Sequence, residues 1–186
     1  VINTNLKRLS DPWKEIIKKF QNLTIICSCD AIGMLGTYVR YPLWFNEFEQ
    51  NVKWVSENAN YLQFNLVASN LTTHKLHETC TWMTQYSKHI DLSILYAPKV
   101  FTEFAVPLEH RDIYINEIKK LLKFPVSIKC ATNFRSKINY LIQKYSTAGY
   151  LKPLHKKLEQ EIITQDSQRS LKLSEVDPFL NSWILQ

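Results

Sequence analysis

The 186-residue sequence contains little glycine and little cysteine, and each shortage argues against a class of protein. Its three glycines lie between Gly33 and Gly149 and are too few for a glycine-rich loop that cradles phosphate groups. Its four cysteines have no regular spacing, which argues against the disulfide framework of a small secreted protein and is typical of a reducing compartment. We therefore expect a cytoplasmic protein.

Membrane and nucleic-acid partners are also disfavoured by what is missing. No run approaches the roughly 20 apolar residues of a membrane-spanning helix, and the chain opens without the charged region and apolar core of a signal peptide. The formal net charge is +6, but basic pairs such as Lys18-Lys19 stand among acidic residues, as on solvated helix faces. Because no RNA-binding or zinc-finger signature occurs, the sequence predicts neither partner.

Alternating strand and helix patterns predict an α/β protein. Hydrophobic residues make up 45% of the chain and charged residues 22%, as in ordinary globular proteins. Short apolar segments at residues 1–5, 23–29, 61–69 and 90–96 predict four strands, and apolar residues at helical spacing separate them, for example in residues 43–58. Strands that alternate with helices form βαβ units, so a parallel sheet is expected.

The character of the sequence changes beyond Pro107. Amphipathic patterns predict three further helices, at residues 109–123, 134–145 and 153–164. The first of them is expected to bury Ile113, Ile118, Leu121 and Leu122. A short strand is predicted at residues 126–130. We therefore divide the chain into a β/α part, residues 1–106, and a mainly helical C-terminal extension, residues 107–186, that packs on it.

The most informative stretch is a buried strand that runs into a flexible loop. Side chains alternate across a strand, so Ser28 and Asp30 share one face. The two cysteines that flank Ser28 share the other face, towards the covering helices. The loop carries Arg40. Polar groups at the carboxyl end of a parallel strand usually mark a ligand site, although Asp30 is also suited to cap the turn that follows.

No metal site is predicted from the sequence. Cys27 and Cys29 are expected to be buried core thiols, because free cysteine is common in protein interiors. His74 and His77 are three residues apart at a predicted helix start, but no third ligand follows them at a recognised spacing. An exposed helix start is therefore the better interpretation of these histidines.

The same stretch, CSCDAIG followed by GTYVRYPLWFNEFEQNVKW, resembles a segment of the radical S-adenosylmethionine enzymes. It is similar to their fourth strand, loop and helix, with the pattern S-x-D-G/A, then G-x-Y-x-R, in the branch with a short twitch-like extension. Residues 1–5, 64–70 and 90–96 resemble the third, fifth and sixth strands in the expected order. QDSQRSLKLSEVDPFL resembles a closing D-x-x-R segment. The resemblance implies a partial TIM-like (β/α) barrel with a helical C-terminal extension.

The resemblance also implies a binding site for S-adenosylmethionine. Ser28 and Asp30 would lie near its ribose and methionine moieties, and Arg40 would pair with its carboxylate, a task that suits the planar guanidinium group. Asn70 and Asn5 would support the site through hydrogen bonds. Each has an ordinary alternative: Asp30 as a cap, Arg40 in a surface ion pair, and Asn70 as a turn residue.

The chain departs from this family in what it lacks. The family holds a [4Fe–4S] cluster on a C-x-x-x-C-x-x-C loop, and no such triplet occurs here. No segment of this sequence resembles the first two βα units of the family either. We therefore expect a C-terminal fragment of a radical S-adenosylmethionine enzyme that is inactive alone, without catalytic residues, metal or bound cofactor. The alternatives are a non-enzymatic interaction module and a cluster-free protein that binds S-adenosylmethionine.

A partial barrel leaves strand edges and sheet faces without neighbours. Exposed edges pair readily with another chain, so the sequence predicts self-association, as a homodimer through the open sheet edge. The alternative is that the C-terminal helices fold back over the exposed face.

Overall fold

Four parallel strands form the central sheet. In this computed structural model, which describes residues 1–185 apart from the side chains of residues 128 and 129, they follow one another across the sheet in chain order. The strands are β1 (Ile2–Thr4), β2 (Thr24–Ser28), β3 (Tyr61–Ala68) and β4 (Ile90–Ile94). The predicted α/β class and parallel sheet are confirmed.

Helices connect these strands, as parallel pairing requires. Helix α1 (Asp11–Lys19) joins β1 to β2 and has Pro12 in its first turn, where proline costs no hydrogen bond. Helices α2 (Gly33–Val39) and α3 (Phe45–Asn58) join β2 to β3, and α4 (Leu76–Met83) joins β3 to β4. Helix α3 buries Phe48, Val52 and Val55. Their spacing is that of one helix face.

The segment predicted as a flexible loop after β2 is instead the short helix α2. Gly33 has φ +59°, a left-handed conformation that glycine adopts without strain. At Gly36 a Cβ atom would clash with the carbonyl oxygen of Ala31, so only glycine permits this approach. Arg40 follows the helix as its C-cap. The loop prediction was wrong because glycines that usually signal a loop here permit close packing.

The C-terminal part is helical. Its helices are α5 (Arg111–Lys120), α6 (Ile128–Thr147), α7 (Lys152–Gln168), α8 (Leu173–Val176) and α9 (Pro178–Ile184). The strand predicted at residues 126–130 was wrong, because the N–H groups of Cys130 and Ala131 donate to the carbonyl of Ser127, as in a first helical turn. Gln186, the last residue of the predicted extension, lies outside the described residues. None of the helices within residues 1–185 is both long and apolar enough to cross a membrane.

One apolar core includes residues on both sides of the boundary predicted after residue 106. Of the residues expected to be buried in the first C-terminal helix, Ile118 and Leu121 are buried. The other two, Ile113 and Leu122, are 47% and 37% exposed. Tyr114 takes the inward position next to Ile113 and is fully buried. The division into two parts stays a prediction.

Arg111 ties α5 to the segments around it. Its side chain is buried and donates hydrogen bonds to the main-chain carbonyls of Glu103 and Val106, each over 3.1 Å. It also donates to the carbonyls of Tyr145 and Ala148, at the end of α6. A buried cation needs such partners to offset its lost hydration. These bonds fix the junction between α5, α6 and the loop after β4.

Candidate functional site

The two faces of the sheet have opposite character. On one face of the sheet, alternate residues of β2, β3 and the first part of β4 are buried: Ile25, Cys27, Leu62, Phe64, Leu66, Ala68, Ile90 and Leu92. Cys27 and Cys29 point into this core, as predicted. Burial raises the pKa of both thiols, which keeps them protonated. They are therefore core residues and poor metal ligands.

The opposite face is polar and only partly buried. Ser28, Asn65 and Asp91 are neighbours in one register row across β2, β3 and β4. The Ser93 hydroxyl donates to Oδ1 of Asn65 over 3.0 Å, and Nζ of Lys137, on α6, lies 2.9 Å from Oδ1 of Asp91. Parallel sheets usually bury apolar residues on both faces. This face instead offers polar contacts.

Asp30 and Arg40 meet at the carboxyl end of the sheet. Nε of Arg40 donates to Oδ2 of Asp30 and Nη2 donates to Oδ1. Both donor–acceptor distances are 2.9 Å, so the pair is bidentate. Oδ1 also accepts from the main-chain N–H of Val67, on β3, over 3.3 Å. The two side chains are 20% and 21% exposed. The ion pair weighed as the alternative for Arg40 is therefore present, with Asp30 as its partner, and it is partly buried.

A cavity of about 220 Å³ lies beside this pair. Its polar lining comes from Asp30, Ser69, Thr72, Gln165 and Arg169, which belong to the ends of β2, β3 and α7. The remaining lining is apolar, from residues that include Val67 and Phe101. Ligands of parallel α/β proteins bind at this end of the sheet. The cavity is therefore the strongest candidate site on geometric grounds.

Arg169, from the C-terminal part, closes one side of this cavity. Its guanidinium lies 5.3 Å from the ring centres of both Tyr38 and Tyr41. Nη1 donates to the main-chain carbonyl of Tyr38 over 2.8 Å. Stacking on aromatic rings and a hydrogen bond to a fixed carbonyl hold the guanidinium in one orientation.

A second contact joins the same two regions. The Tyr38 hydroxyl donates to Oδ1 of Asp166 over 2.8 Å, and both oxygens of Asp166 accept from the N–H of Leu173. Desolvation and this hydrogen bond raise the pKa of Tyr38, so its hydroxyl stays protonated as a donor. Asp166 and Arg169 belong to the D-x-x-R segment seen in the sequence, where they were assigned no role. That spacing was the available signal.

Asn70 holds the loop after β4 in place through hydrogen bonds. It is fully buried, and its Nδ2 donates to the carbonyls of Val100 and Thr102 over 3.0 and 3.1 Å. The main-chain carbonyl of Asn70 accepts a hydrogen bond from the Tyr114 hydroxyl at a distance of 2.9 Å. Asn70 does not line the cavity. Its contacts are those of a residue that fixes the main chain behind the site.

The other predicted site residues lie apart from the cavity lining. Asn5 is exposed after β1, and its Oδ1 accepts from the N–H of Lys7 over 3.1 Å. Ser28 lies on the polar face of the sheet beside Asn65. Of the five predicted residues, the structure brings Asp30 and Arg40 into direct contact.

His74 and His77 have separate environments, and the exposed helix start expected for them was wrong for His74, which is buried because its ring pairs with Asp177. Nε2 of His74 lies 2.8 Å from Oδ2 of Asp177, and the two side chains are only 3% and 6% exposed. His77 instead makes an edge contact with the Phe124 ring. In the part of the chain that the structure describes, no three His, Cys, Asp or Glu side chains are grouped so that they could hold a metal ion.

Comparisons with protein-family models, with curated proteins and with solved structures find no match for this chain. The fold and the site therefore define the protein by architecture: an α/β protein with four parallel strands and a polar cavity at their carboxyl ends.

Proposed function

We propose that the chain is the C-terminal part of a (β/α)-barrel enzyme of the radical S-adenosylmethionine type, inactive when alone. The observation that supports this is the polar, partly buried sheet face with Ser28, Asn65 and Asp91 in one row. In a closed barrel such a face would point inwards, where polar side chains can contact a ligand. The consecutive strand order is also that of a barrel segment.

The described residues do not fit an iron–sulfur cluster. Such a cluster needs several thiolates grouped together. Cys27, Cys29 and Cys80 are buried, and burial raises the pKa of each thiol. A cluster would therefore have to be held by residues outside this chain.

S-adenosylmethionine fits the carboxyl edge in part. The cavity there offers hydroxyl, amide and guanidinium groups. Arg40, to which the resemblance gives the carboxylate of the cofactor, is already engaged by both oxygens of Asp30. Asp30 would orient Arg40, and the polar lining of the cavity would position a ligand through hydrogen bonds.

The mass of the protein in its natural source tests this proposal. We expect it to exceed the 21.9 kDa of the present chain, with upstream residues that contain C-x-x-x-C-x-x-C. Intact-mass spectrometry of the natural protein and the coding sequence upstream of Val1 measure both. A natural protein of 21.9 kDa, or a longer one without this motif, would overturn it.

A cluster-free protein that binds S-adenosylmethionine is the second candidate, and the cavity beside Asp30 favours it. Calorimetric titration of the chain with S-adenosylmethionine tests this directly. We expect saturable binding that Asp30→Ala abolishes and that Asp11→Ala leaves unchanged, because the Asp11 side chain is 93% exposed and does not line the cavity. Absence of binding by the folded chain would reject this candidate.

Self-association is proposed for the open edge of the sheet. Strand β1 is the outermost strand on its side, so its outer N–H and C=O groups have no strand partner in the part of the chain that the structure describes. Such edges favour pairing with a second copy. Light scattering after size-exclusion chromatography should give a dimer mass, and a monomer mass at all concentrations would reject it.

A further inference from the structure

We propose that the cavity at the carboxyl edge binds the carboxylate or phosphate group of a small ligand, and that Arg169 holds this group. Arg40 was the arginine expected from the sequence for such a role. The inference goes beyond the proposed function, because it names the charge of the ligand and its binding residue without depending on any cofactor.

The two charged side chains that line the cavity, Asp30 and Arg169, differ in their partners. Among the residues that the structure describes, these two are the charged ones that line the cavity. Both oxygens of Asp30 accept from Arg40, so that carboxylate is neutralised by another partner. Among the described residues, no ion pair joins Arg169 to a carboxylate. Arg169 therefore gives the cavity an excess of positive charge.

The nearest acidic residue in the sequence forms no ion pair with Arg169. Asp166 lies three residues before Arg169, but its oxygens accept from the Tyr38 hydroxyl and from the N–H of Leu173. It does not line the cavity. Both carboxylates near the site thus have their own donors, whereas the guanidinium of Arg169 makes one hydrogen bond to the described protein, to the carbonyl of Tyr38.

The guanidinium is also held ready for a planar or tetrahedral anion. The Tyr38 and Tyr41 rings lie 5.3 Å from it, and the Tyr38 carbonyl fixes Nη1. This leaves other N–H groups of the fork for an incoming oxyanion, the geometry in which arginine binds carboxylate and phosphate. Gln165 lines the same cavity, and its Nε2 donates a hydrogen bond to Oε1 of Glu161 at 3.1 Å.

The size of the cavity limits the ligand. Its volume of about 220 Å³ is below the roughly 300–1,000 Å³ of sites that enclose drug-sized molecules. It therefore accommodates a small anion, or the anionic end of a larger ligand whose remainder extends out of the cavity.

Arginine side-chain NMR of the chain tests the inference without any variant. The Nε–Hε resonances are assigned through bonds, and inorganic phosphate is titrated at constant ionic strength against chloride. We expect a saturable shift of the Arg169 resonance and none for the exposed Arg135 on α6. A linear drift of both resonances, or a saturable shift of Arg40 alone, would overturn the inference.

Two further probes separate a free oxyanion from a nucleoside-linked carboxylate. S-adenosylhomocysteine has an amino-acid carboxylate, and methylthioadenosine lacks it. If the carboxylate is the bound group, the Arg169 resonance responds to the first probe and not to the second, and Arg169→Gln weakens the binding about 10- to 100-fold. A response to phosphate alone supports the inference and argues against the cofactor-binding candidate.

The converse outcome is equally informative. If S-adenosylhomocysteine binds while the Arg169 resonance stays unchanged and Arg169→Gln and Arg135→Gln bind equally well, the inference is wrong and the cofactor-binding candidate survives. Arg169→Lys, which keeps the charge but loses the fork, serves if Arg169→Gln does not fold. We expect it to bind phosphate more weakly than the natural chain.

Discussion

Two pairs of an acidic and a basic side chain, one joining residues 103 positions apart and the other residues ten positions apart, have different environments. His74 and Asp177 are almost completely buried among aromatic rings, including Phe179, and link the segment before α4 to α9. Asp30 and Arg40 are about one-fifth exposed and lie beside the cavity. The buried pair suits a structural fastening, because water cannot replace either partner. The partly exposed pair lies where a ligand can compete for its hydrogen bonds.

Removing the buried carboxylate should have the largest effect. Asp177→Ala leaves His74 without its partner and removes the side-chain cap of α9, where Oδ1 accepts from the N–H of Leu180 over 2.9 Å. We expect the free energy of unfolding to fall by about 3–5 kcal/mol, measured by urea denaturation. Asp112→Ala, on an exposed residue of α5, is the control and should change it little. If Asp177→Ala lost as little stability as the control, the buried pair would not contribute more than the partly exposed pair of Asp30 and Arg40.

Removing the partly exposed carboxylate should cost less. Asp30→Ala leaves Arg40 and the Val67 N–H without their acceptor, but water can reach this position. We expect a loss of about 1–3 kcal/mol. Asp11→Ala breaks an exposed pair with Lys14 and should change the free energy of unfolding by less than about 0.5 kcal/mol. Equal losses for the Asp30 and Asp177 variants would refute the contrast.

Changing the shape of the cation while keeping its charge should have a smaller effect. Arg40→Lys retains attraction to Asp30 but loses the second hydrogen bond of the bidentate pair. We expect a loss of about 0.5–1.5 kcal/mol in the same denaturation experiment. A loss of unfolding free energy as large as that of Asp30→Ala would contradict this expectation, because it would mean that lysine provides no attraction to Asp30 at all.

The smallest expected effect is the change in stability that acid causes at the buried pair of His74 and Asp177. Desolvation raises the pKa of Asp177. The hydrogen bond from His74, the charge on His74 and the hydrogen bond from the N–H of Leu180 together lower it by more, so the pKa in the folded state is below its ordinary value of 3.8. A lowered pKa means that the carboxylate stabilises the fold above the ordinary value and that this contribution is lost as the pH falls through the folded-state pKa.

Urea denaturation between pH 6 and pH 3 measures this contribution. The difference in unfolding free energy between the natural chain and Asp177→Asn should shrink as the pH falls below about 4. A difference that stays constant over this range would show that ionisation of Asp177 does not contribute.

The parts of the fold that follow from local pattern could be predicted from the sequence. The four strands are short apolar segments, and the alternation at Ser28 correctly assigned the cysteines on either side to the core. The failures have physical causes outside that pattern. Gly36 looks like a loop residue until the carbonyl of Ala31 is seen beside it. Ser127 begins a helix within a segment of strand-forming residues.

The candidate site was predictable only where its residues are close in sequence. Asp30 and Arg40 are ten positions apart and were expected to lie near each other. Arg169 meets Tyr38 across 131 positions, and no local pattern reveals such a contact. The burial of Asn70 depends likewise on Val100, Thr102 and Tyr114, which only the folded chain brings together.

The bond between Tyr38 and Asp166 has a consequence for synthesis on the ribosome. Its two residues are 128 positions apart. At ordinary rates of translation, roughly 6 to 26 s separate their emergence. During this interval α2 lacks the residues that fasten it to α7, and the cavity lacks Arg169. The nascent protein therefore passes through a period in which its sheet can form while the cavity at its carboxyl edge stays open on one side.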